Sequence, residues 1–252
     1  MGEILRKKGK KGSLSKYENV SKRIRVFKNW YKVVFPFNRV FKGMQKLRLR
    51  NGAEVYVREV RSMDTNIAMD VLWTREYDLE DLTLPKNPII FDIGANIGTF
   101  CMEINRVFPD AHIVAYEPFP GSFAMLKINA PFAVLHQKAA AGKTGKVQFE
   151  NGKNFVGLHI VSEGGITVDA ESLEDILKDT QTVDLLKIDI EGGEYELLEN
   201  ASHATLAKVQ RIVMETHDSI PNDLEWGENI LRKHGFRTHW IDPAGIIYGE
   251  RD

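Results

Sequence analysis

Apolar and polar positions along the chain change period many times. The clearest change lies between residues 88 and 121. Ile89, Ile90 and Phe91 form a short apolar run opened by Pro88, the pattern of a buried parallel strand. A glycine turn follows, Asp92-Ile-Gly94-Ala-Asn96-Ile-Gly98. Phe100, Ile104, Val107 and Phe108 then recur at helical spacing until Pro109 and Asp110 stop the helix. His112 to Tyr116 reads as a second strand with Glu117 at its end.

The rest of the chain extends this strand–helix series. Residues 122–130 read as a helix, and Val134 to Ala139 as a third strand. A strand-like run covers 146–149, a glycine-rich loop 151–165 and a short helix 171–179. VDLLKIDI (183–190) is a fourth strand followed by a helix through Leu206, and RIVME (211–215) is a fifth. A helix over 223–234 leads to a closing antiparallel hairpin, 236–241 and 246–248, around Asp242-Pro-Ala-Gly245. Before the series, Val20, Ile24, Phe27, Tyr31 and Val34 give a helical face that Pro36 ends. Residues 46–60 alternate about Asn51-Gly52, a hairpin signal. Residues 64–80 read as a helix capped by Asp64. The expectation is an α/β fold with a mostly parallel sheet, helices on both faces and an antiparallel edge hairpin. It divides into a tail with an amphipathic helix (1–45) and a main domain (46–252) that includes the first hairpin.

The glycine turn carries the chemistry. Gly94 and Gly98 let backbone N–H groups approach a ligand. Glu117 stands 23 residues after Gly94, near the spacing of roughly 20 residues at which a strand-end acid meets ribose hydroxyls. A dinucleotide fingerprint wants a second glycine where this chain has Asn96. A nucleoside ligand without phosphates, such as S-adenosylmethionine, fits better, with Asp92 and Asn96 facing its amino acid end. A nicotinamide dinucleotide is the alternative.

FDIGANIGTF, YEPFP and LLKIDIEGGEYELL, in that order, resemble the FkbM-type S-adenosylmethionine-dependent methyltransferases over residues 70 to 240. The resemblance implies a class I, Rossmann-like methyltransferase fold and O-methyl transfer. It implies a cofactor site at Asp92, Gly94, Ala95, Asn96, Gly98, Glu117, Pro118, Phe119, Ala139 and Asp189. Phe119 would pack on adenine or cap the core. Trp73 and Tyr77 would border the acceptor cleft or fill the core. The acceptor is expected to be a sugar, a lipid-linked glycan or another hydroxylated metabolite.

Removing an alcohol proton calls for a base. His217 is the first choice, because an unperturbed imidazole titrates near neutrality. Asp189 and Glu191 are the alternatives, as base, as orienter of His217, or as partners of the methionine ammonium. Strand period puts both on the side of Lys187. Glu215, His217 and Asp218 join them if strands four and five are neighbours. Those five groups could instead hold a hard cation such as Mg²⁺. That option is not favoured, because carboxylates also have plain uses in cofactor binding.

Charge changes one part of the picture. The net charge is −1, but residues 1–50 hold sixteen Lys or Arg against two acids (+14), and the remainder holds eighteen against thirty-three (−15). Residues 17–35 would therefore lie on anionic membrane, act as a lid, or pack on the domain with a solvated basic face. A membrane- or nucleic-acid-binding module without catalysis is the rival function class, and the absence of a stacked aromatic platform argues against nucleic acid. No secretory signal or 18-residue apolar run is read, so a cytoplasmic protein, peripherally membrane-bound at most, is expected. The single cysteine, Cys101, is read as a small core residue.

Overall fold

A computed structural model describes residues 16–35, 43–60, 62–149, 166–217, 223–241 and 245–251. The chain enters through α1 (Lys16–Val26) and α2 (Tyr31–Val34), then a hairpin of β1 (Gln45–Arg48) and β2 (Glu54–Val57). Next come α3 (Met63–Met69), β3 (Ile89–Ile93), α4 (Thr99–Val107), β4 (His112–Tyr116), α5 (Pro120–Asn129) and β5 (Val134–His136). They are followed by β6 (Ala139–Ala140), β7 (Gly145–Phe149), β8 (Ile166–Glu171), α6 (Leu173–Ile176) and β9 (Leu185–Ile188). The last elements are α7 (Glu194–Asn200), α8 (His203–Leu206), β10 (Arg211–Glu215), α9 (Asp223–Lys233), β11 (Arg237–Ile241) and β12 (Ile246–Glu250).

Seven strands form the main sheet in the order β11-β12-β10-β9-β3-β4-β5. β10, β9, β3, β4 and β5 are parallel. β12 runs antiparallel to both β10 and β11. The expected closing hairpin is present, with its second strand inserted against β10. The chain winds outward from β3 through β4 to β5, then returns to lay β9 on the other side of β3. That reversal makes the carboxyl ends of β3 and β9 the switch point, the usual ligand position in such sheets.

The strand pattern explains the two cores. Ile90, Ile113, Ala115, Leu185 and Val213 point to one face, where α4, α5 and the N-terminal hairpin pack. Phe91, Ile93, Val114, Leu186, Ile188 and Met214 point to the other, under α6 to α9. The expectation of helices on both faces holds.

Several boundaries differ from the sequence reading. The single helix expected over 17–35 breaks at Phe27, which bridges to Leu49 and extends the hairpin. Lys28 N donates to Arg48 O and Arg50 N to Val26 O. Val26, Phe27 and Val33 are buried, while Ile24 and Tyr31, assigned to the apolar face, are 36% and 46% exposed. Of the expected face Phe27 is buried, with Val26 and Val33 in place of Ile24 and Tyr31.

The helix expected over 64–80 ends in a π-type turn, Asp70–Thr74, and Arg75 is left-handed at φ 57°. Its N-cap is Ser62. Asp64 is instead fully buried and takes the Arg58 guanidinium and backbone N–H. The third strand stops at His136, and Ala139 belongs to a separate sheet, β6-β8-β7. β8 went unread. The helix expected through Leu206 is two pieces, parted at Ala201. The tail 1–15, Pro36, the loop 151–165, Asp218 and residues 242–244 lie outside the described residues.

One side chain ties the hairpin to the glycine turn. Asn129 Oδ1 accepts from Tyr56 N at 2.8 Å, and its Nδ2 donates to Tyr56 O at 2.8 Å and Ile97 O at 2.7 Å. Asn129 is 8% exposed, so its loss strands three backbone groups away from water. We expect Asn129→Ala to lower unfolding stability by about 2–4 kcal/mol, read from urea denaturation.

Candidate functional site

The site is built on a buried cation. Lys187, on β9, pairs in register with Asp92 on β3. Its Nζ lies 3.1 Å from Asp92 Oδ1, 3.3 Å from Asp189 Oδ2 and 2.7 Å from Gly94 O. Lys187 is 3% exposed and Asp92 is fully buried. Burial works against the ammonium charge, but Asp92 and Asp189 more than reverse it, holding the group above its usual range. Cys101 Sγ donates to Asp92 Oδ2 at 3.1 Å, and burial pushes that thiol well up. Asp92 was expected to face the ligand. Its side chain turns instead to Lys187 and Cys101, so it reaches the crevice only through the lysine.

The glycine turn leans on the same strand end. Gly94 has φ 82°, and a Cβ there would stand 1.8 Å from Asp189 O. Gly94 is thus required by the contact between turn and β9. Ala95 N and Gly94 N both donate to Tyr116 O at the end of β4. Gly98, φ 90°, caps α4. Asn96 is left-handed at φ 49°. Asn96 N donates to Glu117 Oε2 at 2.9 Å, and Phe119 N donates to Glu117 Oε1 at 2.8 Å. Glu117 is 4% exposed, and burial raises its carboxyl to about 7 against those two N–H donors. Asn96 Oδ1 is buried without a hydrogen-bond partner.

A second polar group closes the crevice beyond β9. Asp189 and Glu191 follow β9, and His217 follows β10. His217 Nε2 lies 3.6 Å from Asp189 Oδ1 and 3.3 Å from Glu191 Oε2. Its Nδ1 lies 3.0 Å from Glu194 Oε1. Glu194 is buried, and its carboxylate also accepts from Ile190 N and Gly192 N, fixing the turn after β9. Burial disfavours the charged ring, but Glu194, Asp189 and Glu191 outweigh it and hold the pKa at about 9. An imidazole is a base only when neutral, and the three carboxylates favour its protonated form. Glu215 lies near the same groups, and burial, then the Asp189 charge, push its carboxyl up.

The remaining expected residues scatter. Phe119 is half-buried and meets Phe149 edge-on at 5.0 Å; Pro118 is half-buried beside it. Ala139 is buried in the small sheet. Tyr77 is a core aromatic, 4% exposed and edge-on to Phe100 at 5.0 Å, while Trp73 is 37% exposed. Sequence reasoning did not assign roles to Lys187 or Glu194. A lysine inside an apolar strand was the available signal for the first. The second had none beyond its place after two glycines.

The parallel strand order with antiparallel β12 beside β10, and a glycine turn and acid at the switch point, is that of a class I methyltransferase fold. The chain belongs to the FkbM methyltransferase family: the methyltransferase FkbM domain matches residues 92–238. Methyltransferase sdnD of Sordaria araneosa is 31% identical, covering 69% of this chain and 85% of that protein. The 31-O-demethyl-FK506 methyltransferase FkbM of Streptomyces tacrolimicus is 27% identical, covering 77% and 89%. The chain spans only 10% of another curated relative, a much longer antimetabolite synthetase. The crystal structure of methyltransferase FkbM from Methylobacillus flagellatus KT is similar at 20% identity and TM-score 0.49, over 68% of this chain and 45% of that one.

The Lys187–Asp92 pair generates a test. Lys187→Met leaves the buried Asp92 carboxylate without its counter-ion and is expected to cost about 3–5 kcal/mol in urea denaturation. Asp92→Asn leaves Lys187 with Asp189 and the Gly94 carbonyl and is expected to cost less. The double variant is expected to cost less than the sum of the two.

Proposed function

We propose that this protein transfers a methyl group from S-adenosylmethionine to a hydroxyl oxygen of a sugar, glycan or small hydroxylated metabolite. The observation that carries the reading is the junction at β3 and β9. There the Lys187-anchored glycine turn and the Asp189–Glu191–His217 group share the end of β9, and Glu117 holds the turn from the end of β4. One relative is a 31-O-demethyl-FK506 methyltransferase, which supports oxygen as the accepting atom.

The chain's polar groups fit a nucleoside ligand. Glu117 has lone pairs beyond the two taken by Asn96 N and Phe119 N, and these suit ribose hydroxyls. Asn96 Oδ1, buried and unpartnered, suits a donor on the same ligand. Asp189, half-buried at the crevice, suits the methionine ammonium. The cofactor supplies an electrophilic methyl on a sulfonium. Glu191 takes the hydroxyl proton of the acceptor, and positioning contributes much of the acceleration.

Calorimetric titration with S-adenosylhomocysteine, and separately with NAD, tests the reading. Saturable binding of the first, weakened about tenfold or more in Glu117→Ala, is expected; binding of NAD instead would sink it. The raised carboxyl of Glu117 adds a pH signature. Ribose hydroxyls donate to the ionised form, so binding below about pH 7 must first remove a proton. Affinity should then fall by up to about tenfold per unit as pH drops below that value, and level off above it. Glu117→Gln should flatten the profile.

A further inference from the structure

We infer that Asp189, Glu191 and His217 form a divalent-metal site, of the mixed nitrogen and oxygen kind that suits Mn²⁺ and similar ions, facing the acceptor. The inference deepens the methyl-transfer reading and rests on it for the use the ion is put to.

The geometry converges on a point. One donor atom from each residue lies within 4.8 Å of the others. His217 Nε2 stands 3.3 Å from Glu191 Oε2 and 3.6 Å from Asp189 Oδ1. Metal bonds of about 2.1 Å place neighbouring ligand atoms roughly 3.0–3.5 Å apart. The three side chains are 22–30% exposed, so the centre opens to the crevice and leaves positions for outside oxygens.

The orientation of the ring is the second observation. Glu194, 3% exposed, holds Nδ1 from behind and is itself pinned by Ile190 N and Gly192 N. A carboxylate on the far nitrogen is how metal-bound histidines are fixed. With N–H on Nδ1, Nε2 faces two carboxylate oxygens, and a divalent ion bound there would displace a proton from Nε2. Asp189 is divided to match: Oδ2 serves Lys187, while Oδ1 faces His217.

The donor set also selects among ions. An imidazole nitrogen suits Mn²⁺, Fe²⁺ or Zn²⁺ better than Mg²⁺, which takes oxygens and keeps its waters. Two carboxylates balance the ion's charge. A hydroxyl oxygen reaching an open position would have its pKa lowered. Its proton would pass to solvent or a neighbouring carboxylate, its lone pair would form the O–C bond, and the C–S pair would return to sulfur. The rival occupant of the centre is a proton on Nε2, making an imidazolium among three acids.

Mn²⁺ is the probe. The full chain, stripped of metal with a chelator, is titrated with Mn²⁺ by electron paramagnetic resonance, and the bound ion is read for nitrogen-14 modulation. S-adenosylhomocysteine binding is measured alongside as the check on folding and on the methyl-transfer reading. Saturable one-to-one binding with nitrogen modulation is expected. In His217→Gln the modulation should vanish and affinity fall about tenfold or more, and Glu191→Gln should weaken the ion while keeping the modulation. No saturable binding, or binding that His217→Gln leaves unchanged, overturns the site. If the ion fails while S-adenosylhomocysteine binds, the metal inference falls alone. If the ion binds and S-adenosylhomocysteine does not, the site stands and the methyl-transfer reading falls.

Discussion

Everything at the carboxyl end of the sheet depends on the buried ammonium of Lys187. Taking such a charge out of water costs several kcal/mol unless partners surround it. Asp92 on β3, Asp189 after β9 and the carbonyl of Gly94 surround it. The same three contacts set the glycine turn against the end of β9, at the place where the winding of the sheet reverses. The strand pleat makes this possible. Asp92, Lys187 and Asp189 occupy alternate positions that face one side, between apolar residues facing the other. The turn and the strand ends are tied together by electrostatics set inside an otherwise apolar sheet.

Much of this frame was legible in the chain. The apolar runs at 89–91, 112–116, 183–190 and 211–215 each hold a buried parallel strand, the third shortened to 185–188, and glycines at 94 and 98 mark the turn between the first strand and its helix. Short segments near loops were less legible. Ile166, Val168 and Ala170 alternate as a strand should, but they follow a glycine-rich stretch and pair with the equally short β7. Helical spacing at 17–35 chose Ile24 and Tyr31 because periodicity cannot see a tertiary partner. Phe27 pairs with Leu49, and that contact turns the segment onto Val26 and Val33.

The site was legible in position and less so in role. Strand ends located Asp189, Glu191 and His217 together. What sequence could not show was how many acids face the ring. Three carboxylates surround His217, and their field decides its proton. Glu194 explains why that field is fixed. It reads as an ordinary acid in a helix's first turn, yet it ties the turn after β9 to the residue after β10. Asp92 shows the opposite case: a residue placed in the motif as a ligand contact serves as a buried counter-ion.

Asn129 has a consequence of a different kind. Its amide is shared between the backbone of β2 and the carbonyl of Ile97, so hairpin and glycine turn exchange hydrogen-bond energy through one side chain. A substitution that displaces the hairpin from Asn129 therefore also disturbs the donor that serves the carbonyl of Ile97 in the turn. The N-terminal segment, joined to that hairpin through Phe27 and Leu49, thereby has a mechanical line to the cofactor loop without touching it.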